Sequence, residues 1–295
     1  MAARYRQRMP DYRSSVDAQT PSRHWAGFSL NRPLVMGILN ITPDSFSDGG
    51  AHMNAEAAIS AGRAMLAAGV DIIDIGGEST RPGAAIVPAD TERQRVIPVI
   101  AGLAAHGAVI SVDTRNATTM AAGLDAGARI INDVSALRHD PAAASLVAAR
   151  GCPVVLMHMR GTPQTMNCHA HYANLVRDVT DELMQASHAA TAAGIARAAI
   201  ALDPGFGFAK TGTQNLTLLQ DLHHCSKLGF PLLVGVSRKR FLGDLIDHPH
   251  KPTARDPASL AAGLFALSQG AHILRVHDVA GTVQAVRVWT RLAGH

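Results

Sequence analysis

Leu34-Val35-Met36-Gly37-Ile38-Leu39 runs without interruption into Asn40. A strand buried on both faces reads as a continuous apolar run, and such a run has no need of the asparagine that ends it. Seven further runs repeat the pattern. Ile72-Ile73-Asp74-Ile75 leads into Gly76-Gly77-Glu78-Ser79-Thr80-Arg81, and Val109-Ile110-Ser111-Val112 ends at Asp113. Ile130-Ile131 ends at Asn132-Asp133, Val154 to Met157 at His158, and Ile200-Ala201-Leu202 at Asp203. Leu232 to Val236 meets Ser237-Arg238-Lys239, and Ile273-Leu274 meets Arg275-Val276-His277. Eight such strands with helical stretches between them predict an α/β protein, a single (β/α)8 TIM barrel whose mouth gathers the polar strand ends.

The intervening segments fit that reading. Helices are expected over Ala55–Ala68, Thr91–Leu103, Ala117–Asp125, Pro141–Ala149, Tyr172–Ala193, Asn215–Leu222, Asp256–Gln269 and Val283–Leu292. Pro98 should kink the second or delay its start. No linker divides the block, so residues 31–295 are read as one domain. Residues 1–30, rich in Arg, Ser and Pro, are read as a short, partly disordered N-terminal extension. The part around Trp25 to Leu30 is expected to cover the barrel floor.

Bulk properties exclude several classes. Of the 295 residues 47% are hydrophobic, enough for a sizeable core, and no apolar run is long enough to span a bilayer. The net charge of +4 has no basic stripe, which argues against nucleic acid and permits an anionic small-molecule substrate. Three scattered cysteines (Cys152, Cys168, Cys225) and no signal-peptide core point to a reducing cytoplasm. The pairs around Cys168-His169-Ala170-His171, His223-His224-Cys225 and His248-Pro249-His250 lack zinc spacing and are read as solvated loops.

The loops after the strands carry the chemistry. Asn40 to Gly50 is a polar loop with one aromatic, Phe46, and a Gly-Gly end, the composition of a lid. Gly76-Gly77 allows close backbone approach, and Arg81 offers a cation suited to a phosphate leaving group. Asp113, Asn132 and Asp203, on three strand ends, suit a flat heterocycle with several N–H donors, because a carboxylate accepts two parallel bonds and an Asn both donates and accepts. Lys239, with Arg275 and His277 on one strand face, brings cations to the opposite side. A basic cluster at a helix start opposes the helix dipole, which suggests an anion nearby.

These motifs occur in order: MGILNITPDSFSDGG (36–50), DIIDIGGESTRPGA (71–84), ISVDT (110–114), ARIINDVSAL (128–137), LMHMRGTPQTM (156–166), LDPGFGF (202–208), PLLVGVSRKRFLG (231–243) and ILRVHDV (273–279). The chain thereby resembles the dihydropteroate synthase family, folate-pathway transferases that join a pterin to para-aminobenzoate. The resemblance spans about Pro33 to Trp289. It implies a homodimer through the late helices, Mg²⁺ as cofactor, and two substrates, 6-hydroxymethyl-7,8-dihydropterin pyrophosphate and para-aminobenzoate, with sulfonamides competing for the second.

Residue by residue, the resemblance assigns the pterin to Asp113, Asn132, Asp203, Lys239 and Arg275. Asn40 is the magnesium-linked residue, and with Arg81, Arg275 and His277 it holds the pyrophosphate. Phe46, Thr80, Pro82, Phe208 and Arg240 are placed around para-aminobenzoate, and Asp44 shapes that pocket. Asp44, Arg81, Lys239, Arg275 and His277 are implied at the reacting bond. Arg240 departs from the pattern, since many members carry Ser there. Two other readings compete, a methyltetrahydrofolate–corrinoid methyltransferase-like barrel and a non-catalytic pterin-binding paralogue. The Ser-Thr-Arg-Pro-Gly loop and the Arg-Val-His pair argue against the first. The intact Asn40, Asp113, Lys239 and Arg275 argue against the second.

Overall fold

A computed structural model describes residues 24–41, 51–79, 83–84, 86–247 and 251–294, with the side chains of 51–54 outside the description. A short hairpin, β1 (His24–Trp25) and β2 (Phe28–Ser29), precedes eight parallel strands. These are β3 (Leu34–Asn40), β4 (Ile72–Gly76), β5 (Ile110–Asp113), β6 (Ile130–Asp133), β7 (Val154–Met157), β8 (Ile200–Asp203), β9 (Leu233–Val234) and β10 (Ile273–Val276). The ladder runs β8-β7-β6-β5-β4-β3-β10-β9, and a parallel bridge between Leu202 and Leu232 joins its two ends. The sheet is therefore a closed barrel, as the eight runs predict.

Alternation along the strands divides the core in two. Leu34, Met36, Ile72, Ile130, Val155, Ala201, Leu233 and Ile273 form one cluster inside the barrel. Their neighbours Val35, Ile73, Ile131, Val154, Ile200, Leu202, Val234 and Leu274 belong to the larger cluster that packs on the helices. The same alternation carried toward the C-terminal ends directs Asn40, Asp74, Asp113, Asn132, Asp203 and Arg275 inward, into the mouth. Trp25 belongs to the interior cluster at 1% exposure and donates from Nε1 to the Ala199 carbonyl at 3.0 Å. The hairpin thus closes the N-terminal end of the barrel.

The helices are α1 (Ala51–Ala68), α2 (Ala89–Ala104), α3 (Ala117–Asp125), α4 (Ala143–Arg150), α5 (Leu175–Ala192), α6 (Gly212–Gln220), α7 (His223–Ser226), α8 (Arg240–Leu245), α9 (Asp256–Ser268) and α10 (Val279–Leu292). α2 starts before the expected Thr91 and runs on through Pro98. Its apolar face (Val96, Val99, Ile100, Leu103) is fully buried, and such packing outweighs one missing backbone bond. α6 starts earlier than expected because Thr211 and Gln214 form a capping box. α10 starts four residues early, capped by Asp278. His223-His224-Cys225, read as a solvated loop, forms α7 instead, with Cys225 buried at 1% exposure.

Candidate active site at the barrel mouth

Strand register sets out one wall of the mouth. Asn40 pairs with Gly76, Gly76 with Asp113, and Asp113 with Asn132, so four adjacent strands present one row. A Cβ on Gly76 would sit 3.6 Å from Asp113 Oδ2 and 3.7 Å from Asn40 Oδ1. The missing side chain leaves the two polar groups facing one open strip of backbone.

Arg275 enters this wall from β10. Its Nη2 donates to Asp113 Oδ2 at 2.6 Å, and its Nε donates to Asp74 Oδ2 at 2.6 Å. Asn132 Nδ2 donates to the same Asp74 oxygen at 3.0 Å. The Asp74 carboxylate, fully buried, therefore orients both the guanidinium and the amide. With its N–H₂ committed to Asp74, Asn132 keeps its carbonyl oxygen for another donor. Burial pushes the Asp113 carboxyl up to about 7 against the pull of Arg275, and Asp74 adds to the rise. Burial also raises Asp203, whose Oδ1 accepts from the Gly205 N–H at 2.7 Å and which feels the charges of Lys239 and Arg275.

The expected separation into an acidic and a cationic side is not what forms. Arg275 lies within the acidic wall, because Asp74, Asp113 and Asp203 buried together need a counter-charge there. Among the described residues, Asn40, Asp113, Asn132 and Arg275 share one rim.

Lys239 precedes α8, and its Nζ lies 4.3 Å from the centroid of the Phe208 ring. Phe208 belongs to an apolar patch with Val134, Met157, Met159, Met166 and Ala209. Arg240 opens α8 and is exposed. Arg238 adopts φ +57° and turns away to Asp256, with bonds of 2.6 and 2.8 Å. Part of the basic cluster is thus neutralised by the protein itself, which weakens the inference of an anion from that cluster alone.

His277 lies just past the end of β10. Its backbone N–H donates to Ser237 Oγ at 3.1 Å, and its Nδ1 lies 3.0 Å from the same oxygen. Burial, with the cations Arg238, Arg275 and Lys239 beside it, lowers His277 to about 3. It is a neutral imidazole and not the cation expected from sequence. In the tautomer that accepts the Ser237 hydroxyl at Nδ1, Nε2 carries the ring proton and can donate to an anion.

Glu78 is held by Arg115 (3.0 and 3.1 Å) and accepts from the Val87 N–H at 3.0 Å. Asp44, Phe46, Thr80, Arg81 and Pro82 lie outside the described residues, as do the lid loop over 42–50 and His248 and His250. Asp74, Ser237 and Lys210 were missed from sequence. The available signal for Asp74 was a carboxylate inside an otherwise apolar strand, two residues from the inward-facing Ile72.

A family profile described as "Pterin binding enzyme" matches residues 36–277. Dihydropteroate synthase of Escherichia coli (strain K12) is 46% identical over 260 residues, 88% of this chain and 91% of that protein. The structure of Xanthomonas albilineans dihydropteroate synthase with 4-aminobenzoic acid matches with a TM-score of 0.85 at 47% identity, covering 91% of this chain and 96% of that one. The same enzyme in complex with 7,8-dihydropteroate matches with a TM-score of 0.82 at 45% identity, over 91% and 96%.

Proposed function

The chain belongs to the pterin-binding enzyme family as a dihydropteroate synthase, and from that premise we propose how its mouth divides the work. The reaction condenses 6-hydroxymethyl-7,8-dihydropterin pyrophosphate with para-aminobenzoate, giving 7,8-dihydropteroate and pyrophosphate. Asp113, the Asn132 carbonyl and Asp203 accept from the N–H groups of the pterin, while Lys239 and Arg275 border the ring. Arg275, Arg81 and the His277 Nε2–H take the pyrophosphate. Phe208 is one wall of the para-aminobenzoate pocket, completed by Phe46, Thr80 and Pro82, with Asp44 shaping it and Arg240 at the carboxylate end. The observation that carries this reading is the Arg275 guanidinium bonded to Asp113, which joins the ring site to the leaving-group site.

The carbon–oxygen bond breaks first in this scheme. Pyrophosphate departs with the electron pair, and positive charge spreads over the pterin methylene and ring. The buried carboxylates stabilise that charge where it develops, and Arg275 stabilises the opposite charge on the leaving group. The aryl amine attacks with its nitrogen lone pair and then sheds one proton. It is neutral at pH 7, so no strong base is needed.

Asn40 suits Mg²⁺. Its half-buried amide faces the open strip beside Asp113, and Mg²⁺ takes few protein oxygens while completing its shell with water and substrate phosphates. When bound, the ion would neutralise pyrophosphate charge. A homodimer is supported by the exposed Phe265 on α9 and Val288 and Leu292 on α10. A cytoplasmic setting is supported by the free thiols of Cys152, Cys168 and Cys225. No helix among the described residues is long and apolar enough to cross a membrane.

The test is pyrophosphate release by purified protein, which should require both substrates and Mg²⁺ and be inhibited by a sulfonamide in competition with para-aminobenzoate. Inhibition independent of para-aminobenzoate concentration would refute the pocket assignment.

A further inference from the structure

Lys210 has no part in the scheme above, yet its charged side chain is buried, at 7% exposure. Its Nζ donates to the carbonyls of Gly205 and Phe208, both at 3.0 Å, and lies 2.9 Å from His158 Nδ1. The opposite ring nitrogen, His158 Nε2, lies 3.0 Å from Glu182 Oε2. Glu182 also accepts from Arg160, whose guanidinium stacks on Tyr172 at 4.1 Å.

The proton positions along this row follow from chemistry. Although burial works the other way, bonds from His158 and Arg160 hold the Glu182 carboxyl down at about 2. An ionised carboxylate only accepts, so His158 must carry its ring proton on Nε2. Nδ1 is then a bare acceptor, and the amine facing it must donate. With two carbonyls as further acceptors, Lys210 uses all three N–H bonds of an ammonium. Glu182 therefore holds Lys210 in its charged form through the ring between them.

The turn around that ammonium needs a tie. Gly205 (φ +71°), Gly207 (φ +79°) and Ala209 (φ +49°) are all left-handed, and a Cβ on Gly205 would lie 2.0 Å from the His158 carbonyl oxygen. Ala209 has a side chain in a region that favours glycine. The tight, unfavourable turn carries Asp203 at its start and Phe208 near its end, and Phe208 lies beside Lys239.

We propose that Lys210 is a positioning residue for the aryl amine: its ammonium, kept charged by Glu182 through His158, pins the 205–208 turn so that the Phe208 ring lies against Lys239 as one wall of the para-aminobenzoate pocket. The proposal rests on the reading of Phe208 given above. Burial draws Lys210 down to about 7, while Asp203 on β8 and Glu182 on α5 favour its charge and Lys239 opposes it; the Cys225 thiol on α7, pushed up to about 12, stays neutral beside it. Above neutrality the ammonium loses its proton and the turn loses a tie, so the KM for para-aminobenzoate rises with pH.

The experiment is steady-state kinetics on the full chain with both substrates varied. Lys210→Met raises the KM for para-aminobenzoate by about tenfold or more at pH 7 and leaves the KM for the pterin pyrophosphate within about threefold. Glu182→Gln can donate as well as accept, so it frees the ring tautomer and moves the alkaline rise in that KM to lower pH. Phe208→Ala tests the pocket reading by itself. If Phe208→Ala raises the KM while folded Lys210→Met does not, or raises both KM values equally, the proposal on Lys210 fails alone. If Lys210→Met does not fold, an unmoved alkaline limb in Glu182→Gln overturns it. No effect in Phe208→Ala overturns the pocket reading and the proposal together.

Discussion

Arg275 and Asp74 stand 201 residues apart in the chain and 2.6 Å apart in space. This bond ties the last strand of the barrel to the second of its eight, and Asn132 shares the same carboxylate oxygen. Asp74 touches solvent nowhere, so its role is to orient two groups that face the substrate. Asp74→Ala leaves the guanidinium with Asp113 as its remaining carboxylate bond and frees the Asn132 amide to turn. Breaking a buried charge pair costs about 3–5 kcal/mol. A urea titration should register a loss of that order, with pyrophosphate release falling in the fraction still folded. An unchanged midpoint would show that Asp74 orients nothing.

Asp113→Ala and Asp203→Ala should each abolish turnover while circular dichroism retains the barrel signature. Each removes a carboxyl group from where positive charge develops and leaves the apolar interior below untouched. Normal turnover in either variant would defeat the pterin assignment.

Arg81→Ala should lower turnover more than it weakens binding of a pterin that lacks pyrophosphate. Equal loss of both would make Arg81 a structural residue.

Acid should destabilise the protein through its buried imidazoles. Burial, with the charge of Lys210 beside it, lowers His158 to about 4 from an ordinary value of 6.5. The folded state therefore binds fewer protons than the unfolded state between those values. Stability is present in full above pH 6.5 and lost as pH falls toward 4, by ~2 kcal/mol for this group between pH 7.5 and 5. The urea midpoint should drop over that range, and His158→Gln should flatten the slope. A slope unchanged by the substitution would remove His158 from the account.

Trp25→Ala should open the floor of the barrel. The indole sits among Leu34, Met36 and Ile273 with its N–H on Ala199, and truncation of a buried aromatic costs about 3–5 kcal/mol. Denaturant unfolding should show that loss while kcat per folded molecule stays near that of the parent chain, because the mouth lies at the other end of the strands.

The barrel was legible in the sequence because two-sided burial leaves a continuous apolar run, and each polar strand end stands out against it. Asp113, Asn132, Asp203 and Arg275 were found that way and share one rim. Asp74 was hidden because its meaning depends on a guanidinium 201 residues away. The charge of His277 was misread because a sequence does not show the cations that crowd it. Arg238 looked like part of an anion site until Asp256 was placed against it. α6 and α10 start earlier than the apolar pattern indicates, because their caps, Thr211 and Asp278, come before that pattern begins.

The most direct measurement is a crystal of the protein soaked with the pterin pyrophosphate. The account predicts ring N–H groups within about 3.2 Å of Asp113, the Asn132 carbonyl and Asp203, with the pyrophosphate against Arg275 and the Nε2 of His277. A ring bound away from those three acceptors, or a pyrophosphate remote from Arg275, would contradict it.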